Sequence, residues 1–281
     1  MPGCQYARMP VIPRDTMTPH LMGKADLHIH TSHGDGLDSI EAIFDHVESQ
    51  TDLDVIAITE HDHLETALAA REVWARGNYR FAVAPGVEVT TLEGHVIALF
   101  VEDPIPSLRP VEETIEAVRR QGGVCFVPHP MSWLTRSIGP GTMARVVAAG
   151  LSFDAIELAS GSPPARVAHT KARRLNDNLY HLPAVGASDA HFRQAIGAGY
   201  TRFSGTTAAQ LRTAFNTGAL RAEHRPYPSL REAGLLRTLS LPLAGLSATP
   251  KRLGWRRTAW SFVSRYGSGS SVKRQDSGAA G

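Results

Sequence analysis

The chain has 281 residues, a formal net charge of +2 and only two cysteines. This length allows a large apolar core, and two cysteines exclude a small fold held together by several disulfides. No apolar run approaches the length of a transmembrane helix, and prolines interrupt the first residues, which argues against a signal peptide. We therefore expect a cytoplasmic protein.

The charge is unevenly distributed along the chain. Residues 223–281 hold ten Lys/Arg against three Asp/Glu, about +7, which leaves about −5 for residues 1–222. The acidic part favours cations and lacks the basic groove expected for a long nucleic-acid strand. In the basic part, Leu253 to Tyr266 has an amphipathic helical pattern that would pack on the domain, stay loosely ordered, or contact an anionic membrane or an acidic partner.

These patterns predict three segments. Residues 1–23 show little apolar periodicity and are expected to be a disordered leader. Residues 24–222 are expected to form one α/β domain, and residues 223–281 a basic extension whose Gly/Ser-rich end is disordered.

Short apolar runs alternate with helical patterns from residue 24, which predicts a mostly parallel sheet. Strands are expected over residues 24–30, 54–59, 81–89, 95–101, 123–127, 154–159, 183–187 and 199–204. Helices are expected over about 64–76, 110–121, 141–150, 163–178 and 206–217. A further helix should follow a capping box with Asp38 as N-cap and Glu41 three residues on.

Five of the predicted strands end in metal-binding residue types. In α/β barrels the carboxyl ends of the strands form the face on which sites are built, so five such ends predict a metal centre. His28 and His30 share one face of their strand because side chains alternate, which puts Leu27 and Ile29 on the other. The strand-end residues are His28, His30, Glu60, His61, Asp62, Glu88, His129, Asp189 and His191.

His95 opens a strand instead of ending one. If Val87–Thr91 and Gly94–Phe100 form an antiparallel hairpin, Thr90 lies opposite His95, and Glu88 lies one diagonal step away on the same face. Glu88 and His95 could then contact one ion. The alternative is a histidine that merely packs at the edge of the hairpin.

Five motifs in this order resemble those of the PHP (polymerase and histidinol phosphatase) superfamily. They are Asp26–Thr31, Ile58–Asp62, Gly86–Val89, Pro128–Pro130 and Gly186–His191. The runs Gly94–Leu99 and Ile156–Leu158 look most like the branch that includes the CehA/McbA-type metalloproteins. The resemblance implies a distorted (β/α)7 barrel with its metal site at the carboxyl ends of the strands.

The resemblance also implies two or three divalent ions, Mn, Zn or Fe, and a catalytic role for His61, Asp189 and His191. By position, it implies His28, His30, Glu88 and Asp189 around a first ion, Asp35, His61 and His191 around a second, and Glu88, His95 and His129 around a third. Mixed nitrogen and oxygen ligands suit such ions.

Several positions stay open. His33 competes with Asp35 as a ligand, because the chain reads His33-Gly34-Asp35-Gly36 where relatives commonly have Ser-Asp-Gly, and Glu60 stands where Asp is usual. Asp26 and Asp62 either orient imidazoles or cap turns. Arg136 and Arg193 are candidates to bind substrate phosphate, or else surface arginines.

The resemblance implies a metal-dependent phosphoesterase that cleaves a small phosphomonoester by attack of a metal-bridging hydroxide. A carbamate or aryl-ester hydrolase with the same metal centre is the second reading. A non-catalytic scaffold or regulatory module is the third.

Overall fold

Nine β-strands form one sheet in the computed structural model, which describes residues 22–234. The eight expected strands are present with ends shifted by at most two residues, and β9 is an additional one. The predicted leader before residue 22 and the amphipathic stretch Leu253–Tyr266 lie outside the described residues. The strands are β1 (Met22–Ile29), β2 (Val55–Ile58), β3 (Ala82–Thr90), β4 (His95–Leu99), β5 (Val124–Val127), β6 (Ala155–Ser160), β7 (Ala184–Ala187), β8 (Gly199–Ser204) and β9 (Leu220–His224).

Helices connect most of the strands, as the apolar periodicity predicts. In residues 22–234, none of them is long and apolar enough to cross a membrane. They are α1 (Ile40–Gln50), α2 (Leu64–Arg76), α3 (Val111–Arg120), α4 (Pro140–Ala148), α5 (Pro163–Arg166), α6 (His169–Leu175), α7 (Ala208–Thr217) and α8 (Leu230–Ala233).

Two helix predictions need correction. The N-cap of α1 is Ser39, whose hydroxyl accepts a hydrogen bond from the Ala42 N–H at 3.3 Å. Asp38 is buried, and its carboxylate accepts instead from the Arg193 N–H at 2.9 Å. The helix expected over 163–178 is divided into α5, α6 and a π-helical turn at Asn176–Tyr180.

The sheet is mixed, whereas the alternating pattern predicts a mostly parallel sheet. The strand order is β7-β6-β5-β4-β3-β2-β1-β8-β9. Parallel ladders join β1 to β2, β2 to β3, β5 to β6 and β6 to β7, whereas the ladders of β4 and β8 with their neighbours are antiparallel. The β3–β4 hairpin reverses the chain in the middle of the sheet and makes both ladders of β4 antiparallel, and β8 separately runs opposite to β1 and β9.

The first and last parts of the sheet approach each other and nearly close a barrel. The hydroxyl of Thr201 on β8 accepts from the Gly186 N–H on β7 at 3.0 Å and donates to the Gly186 carbonyl at 2.8 Å. A Cβ at Gly186 would lie 2.2 Å from the Tyr200 carbonyl oxygen, so only glycine allows this approach. The expected barrel-like α/β fold is therefore confirmed.

Apolar side chains form an inner layer and an outer layer. The inner layer includes Leu27, Ile97 and Phe126, and Phe215 of α7 packs against Phe126 with ring centroids 6.4 Å apart. The outer layer lies between the sheet and the other helices and includes Phe44 and many β-branched residues. Burial on both faces of the sheet is what the continuous apolar strands predict.

Strand β1 carries an irregularity that changes its side-chain alternation. The β1–β2 register shifts between Asp26 and Ile29. As a result Leu27 packs in the inner layer and Ile29 in the outer layer, although strict alternation puts them on the same face. Such bulges re-aim side chains beside functional sites.

The sheet extends past residue 222, where a change of segment is predicted. Strand β9 reaches His224, and Ala233 of α8 is buried in the outer layer. Between them, the ring of Tyr227 packs edge-on against Phe192 with centroids 6.0 Å apart. The chain therefore returns to the loop that follows β7 before residue 234.

The Asp26 carboxylate holds three segments together near this loop. Its Oδ1 accepts from the Ser188 N–H at 3.0 Å and from the His28 N–H at 3.4 Å, and its Oδ2 accepts from the Gly197 N–H at 2.7 Å. Asp26 thus binds backbone groups that fix β1 against the loop after β7. Of the two predicted roles, the structure shows the turn-type role.

We expect Asp26→Ala to destabilise the protein by roughly 2–5 kcal/mol, because it leaves buried N–H groups without an acceptor. Chemical denaturation of wild type and variant measures this free energy of unfolding. Asp103→Ala, at an exposed position, is the matched control and should change it by less than about 0.5 kcal/mol. Equal stability of Asp26→Ala and wild type would contradict this role.

Candidate metal centre

The strand ends bring the predicted residues together at one face of the barrel. Residues Thr90 and His95 pair in the β3–β4 ladder, as the predicted hairpin requires. An isolated parallel bridge joins His61, just after β2, to Glu88 on β3. Most side chains of the cluster are buried, whereas those of Asp189 and His191 are partly exposed.

Glu88 lies at the centre of the cluster. Its Oε2 is 3.1 Å from His28 Nε2 and 3.1 Å from His61 Nδ1. Its Oε1 is 2.8 Å from His95 Nδ1 and 3.1 Å from His129 Nε2. His30 Nε2 also lies 3.3 Å from Oε2. One carboxylate thus faces five imidazoles, three on Oε2 and two on Oε1, which is the arrangement expected of a group shared between ions.

His28, His30 and Asp189 form one side of the cluster. The Nε2 atoms of the two histidines are 3.0 Å apart, so both rings point to the same place. Asp189 Oδ1 lies 3.5 Å from His28 Nε2 and 3.4 Å from His30 Nε2. Together with Glu88, these are the residues that the family resemblance implies for the first ion.

Asp35 joins the other side of the cluster, whereas His33 does not. Asp35 Oδ2 lies 3.5 Å from His61 Nε2, and its Oδ1 lies 3.4 Å from His191 Nε2 and 3.3 Å from His30 Nδ1. His33 is exposed, and its ring contacts Thr31 at 3.4 Å. Of the two candidate ligands, the structure therefore favours Asp35.

The charges of the cluster depend on one another. Burial raises the pKa of Glu88, but the imidazoles of His61 and His95 outweigh it and hold the pKa well below its usual range. Burial lowers the pKa of His28, but the carboxylates of Glu88 and Asp189 outweigh this and raise the pKa to about 10. The carboxylates therefore require positive charge close by.

The cluster fits divalent ions on its own chemistry. His28 Nδ1, His30 Nδ1 and Asp35 Oδ1 are buried without a hydrogen-bond partner. Four groups of three side chains bring ligand atoms close enough to hold an ion: His28, His30 and Glu88; His30, Asp35 and His61; His30, Asp189 and His191; and His61, Glu88 and His95. Nitrogen and oxygen donors in such groups suit Mn, Zn or Fe.

The backbone is strained at three residues that end strands of the site. Asp62, His129 and Asp189 have positive φ values of 60°, 30° and 52°. Non-glycine residues adopt this region at an energetic cost, and such residues concentrate at functional sites. At His129 and Asp189 the turn directs a ligand side chain back into the cluster.

Neighbouring polar groups hold several of these rings. His129 Nδ1 lies 3.0 Å from Ser137 Oγ and 3.1 Å from Thr135 Oγ1. Glu60 Oε1 lies 3.3 Å from His30 Nδ1 and accepts from the Thr31 N–H at 2.9 Å. Sequence reasoning identified Glu60 as a strand-end residue that stands where Asp is usual, but it missed the two hydroxyls, because nothing in their spacing distinguishes them from other loop residues.

Asp62 has the turn role that was one of its two predicted roles. Its Oδ1 accepts from the Thr90 N–H at 2.7 Å.

Cys125 is buried, as its apolar neighbours predict, and burial raises the pKa of its thiol well above the usual range. A buried thiol that stays protonated is a poor metal ligand, and Cys125 is not part of the cluster around Glu88.

Both predicted phosphate-binding arginines contact the protein itself. The guanidinium of Arg136 donates to the Thr91 carbonyl at 2.9 Å and the Leu92 carbonyl at 3.2 Å. Arg193 Nε lies 3.9 Å from Asp38 Oδ1, and the Arg193 side chain is 41% exposed. Arg193 keeps more freedom to reach a substrate than Arg136 does.

A nearly closed α/β barrel with buried histidines and carboxylates at its carboxyl face defines a class of metal-binding barrel proteins. A family model described as PHP-associated matches residues 167–220. An uncharacterized protein of Methanocaldococcus jannaschii is 34% identical over 126 residues, which are 41% of this chain and 72% of that protein.

Two further proteins share parts of the chain. The 5'-3' exoribonuclease Rnm of Salmonella typhimurium is 34% identical over 88 residues, 30% of each chain. A two-domain protein from Bacteroides vulgatus, described as containing a predicted PHP-like metal-dependent phosphoesterase, superposes with a TM-score of 0.60 at 21% identity, covering 73% of this chain and 65% of that one. This chain therefore spans less than two thirds of that structure's length. The chain belongs to the PHP superfamily.

We expect Glu88→Gln to lower the metal content of the purified protein by at least one equivalent, because the neutral amide removes the charge shared by five imidazoles. Metal analysis by mass spectrometry after removal of free ions measures this. Glu116→Gln, at an exposed residue, is the control and should keep the wild-type content. Unchanged metal content in Glu88→Gln would contradict the central role of this carboxylate.

Proposed function

We propose that the protein is a metal-dependent phosphoesterase that cleaves a small phosphomonoester at this cluster. The observation that carries the proposal is the convergence of imidazoles and carboxylates around Glu88, with ligand atoms 2.8–3.5 Å apart. A cluster so rich in ligands favours a catalytic centre over a scaffold. Membership of the PHP superfamily supports the same reaction class.

The proposed ligands of the ions differ in how exposed they are. His28, His30, Glu88 and Asp189 would hold one ion, and Asp35, His61, His95, His129 and His191 the others. Divalent ions bound there would supply an activated water and offset the charge of the phosphate oxygens. The side chain of His191 is 26% exposed, whereas those of His28 and His30 are fully buried, so we propose that substrate approaches from the side of His191.

The orientation of the His191 ring is fixed by a contact with Asp189. The Nδ1 of His191 lies 3.0 Å from the Asp189 carbonyl oxygen, which fixes the ring next to its own turn. Its Nε2 then points towards Asp35. Arg193 follows two residues later at the same rim, and we propose it as the side chain that steadies a non-bridging phosphate oxygen.

An exposed tryptophan suggests what the leaving group is. Trp133 is 78% exposed and Leu134 is 46% exposed. They lie in the loop that follows His129, where the Ser132 N–H donates to the His129 carbonyl at 3.3 Å and the Ser137 hydroxyl donates to the same oxygen at 2.8 Å. The loop therefore stays close to the metal centre, and we propose that the Trp133 ring stacks on a planar leaving group such as a nucleoside or an aryl alcohol.

The charge of the domain favours a short substrate over a long nucleic acid. Residues 1–222 carry a formal charge of about −5, so this part of the chain has no excess of Lys/Arg with which to neutralise a long polyanionic strand. A nucleotide with one or two phosphates needs fewer such contacts. The match to an exoribonuclease over part of the chain is consistent with nucleotide chemistry.

The first test is phosphate release by the Mn-loaded protein from nucleoside monophosphates, nucleoside bisphosphates and histidinol phosphate. We expect release from at least one substrate, with none from metal-stripped protein. Asp189→Asn should lose more than roughly 100-fold in turnover, since even partners of metal ligands can cost that much. Asp103→Asn is the exposed control, and full activity of Asp189→Asn would show that the site is assigned wrongly.

If none of these substrates releases phosphate although bound metal is demonstrated, the result would favour the carbamate or aryl-ester hydrolase, which uses the same centre. Absence of bound metal, together with no gain in stability when Mn or Zn is added, would favour a non-catalytic module.

We expect Trp133→Ala to raise KM for a ring-bearing substrate by roughly 5- to 150-fold, the equivalent of about 1–3 kcal/mol of stacking. Glycerol 3-phosphate, which has no ring, should be cleaved equally by wild type and variant. Leu179→Ala removes another exposed apolar side chain and serves as the control variant. Equal KM values for a nucleotide in wild type and Trp133→Ala would contradict the stacking role.

A further inference from the structure

Glu157 is a buried carboxylate on β6 to which the steps above give no role. Its side chain is fully buried, and neither of its carboxylate oxygens has a hydrogen-bond partner. The sequence signal for it is a single acidic residue between the apolar residues Ile156 and Leu158. An unpartnered buried carboxylate is costly, so a folded protein that keeps one needs an interaction that repays this cost.

Glu157 faces the ring of His28, one of the candidate metal-binding histidines. Glu157 Oε2 lies 3.9 Å from His28 Nδ1. The other nitrogen of the same ring, Nε2, faces Glu88 at 3.1 Å and Asp189 at 3.5 Å. The ring of His28 thus lies between the cluster on one side and Glu157 on the other.

His28 Nδ1 is itself buried without a hydrogen-bond partner. A donor and an acceptor that both lack partners therefore face each other across a gap about 1 Å longer than an ordinary hydrogen bond. Histidines that bind a metal through one ring nitrogen usually donate the N–H of the other to a carboxylate, which fixes the tautomer and the orientation of the ring.

We propose that Glu157 is a positioning residue that accepts a hydrogen bond from the His28 Nδ1–H when a metal ion is bound at Nε2, and that it thereby sets the affinity of the first ion. The inference rests on the metal centre of the proposed function but not on the reaction that the centre performs. It predicts that Glu157 acts on metal binding before any substrate is present.

The proposed hydrogen bond requires the Glu157 carboxylate to move closer to His28 Nδ1, and the surroundings of Glu157 leave room for this. A cavity of about 30 Å³ borders its side chain, together with Pro130, Ser160 and His169. The His169 ring bonds the Leu158 carbonyl oxygen, so it is engaged elsewhere. A cavity of this size holds one or two water molecules, which can hydrate the second carboxylate oxygen while the first approaches His28.

The test is a comparison of Zn(II) affinity in the full-length wild type, Glu157→Gln and Glu157→Ala by competition with a chelator. We expect both variants to bind the tightest ion 10- to 100-fold more weakly, the range for partners of metal ligands. Glu116→Gln, which changes an exposed glutamate, should keep the wild-type affinity.

Two further readouts separate positioning from a structural role. The melting temperature of metal-free Glu157→Gln should stay close to that of wild type, because glutamine keeps the size of the side chain and the 3.9 Å gap to His28 leaves no hydrogen bond to lose. In the Zn(II)-loaded protein, a ¹H–¹⁵N correlation of the imidazoles should show a protonated His28 Nδ1 whose proton signal shifts upfield or disappears in Glu157→Ala.

Wild-type affinity in both variants would overturn the proposal. So would a lower melting temperature of metal-free Glu157→Gln with unchanged affinity, which marks a purely structural residue. Failure of the wild type itself to bind Zn(II) would overturn the metal centre and with it this inference. Metal binding without phosphate release would leave the inference standing and reject only the proposed reaction.

Discussion

Five imidazoles converge on the carboxylate of Glu88, and the geometry of the site depends on that convergence. Two rings come from β1 and its end, and the others from the end of β2, from β4 and from the end of β5. Each ring reaches Glu88 only because its strand holds the correct register: β3 and β4 pair Thr90 with His95, and a parallel bridge pairs His61 with Glu88. A slip of one residue in any ladder would turn its side chain to the opposite face.

The remaining ligands depend on closure of the barrel. Asp189 and His191 follow β7, which is at the end of the strand order away from β1. They reach the histidines of β1 because Gly186 packs closely against β8, and because Asp26 accepts hydrogen bonds from Ser188 and Gly197. The fold therefore brings two distant parts of the sequence to one site through a glycine contact and a buried carboxylate.

The sequence predicts most of the strands and the convergence of their ends, since both depend on local patterns of apolar residues followed by polar ones. It predicts the pairing of Thr90 with His95 because a hairpin has few registers. It does not predict β9, where the residues are polar and half exposed, or the irregularity of β1, which arises from pairing with β2. The sequence shows Glu157 only as one residue of the run Ile156–Leu158. It does not predict the contact of Glu157 with His28, because these two residues lie on strands and are 129 positions apart in the chain.

The loop after His129 combines a part that contacts the candidate metal centre with a part that is exposed. Thr135 and Ser137 lie within 3.1 Å of the His129 ring, so that part of the loop is constrained by the metal centre. Trp133 in the same loop is 78% exposed. If its ring stacks on the leaving group as proposed, substitutions at this position would alter which leaving group is recognised while the geometry of the candidate ligands is kept. Selectivity would then change in this loop without any change in the cluster around Glu88.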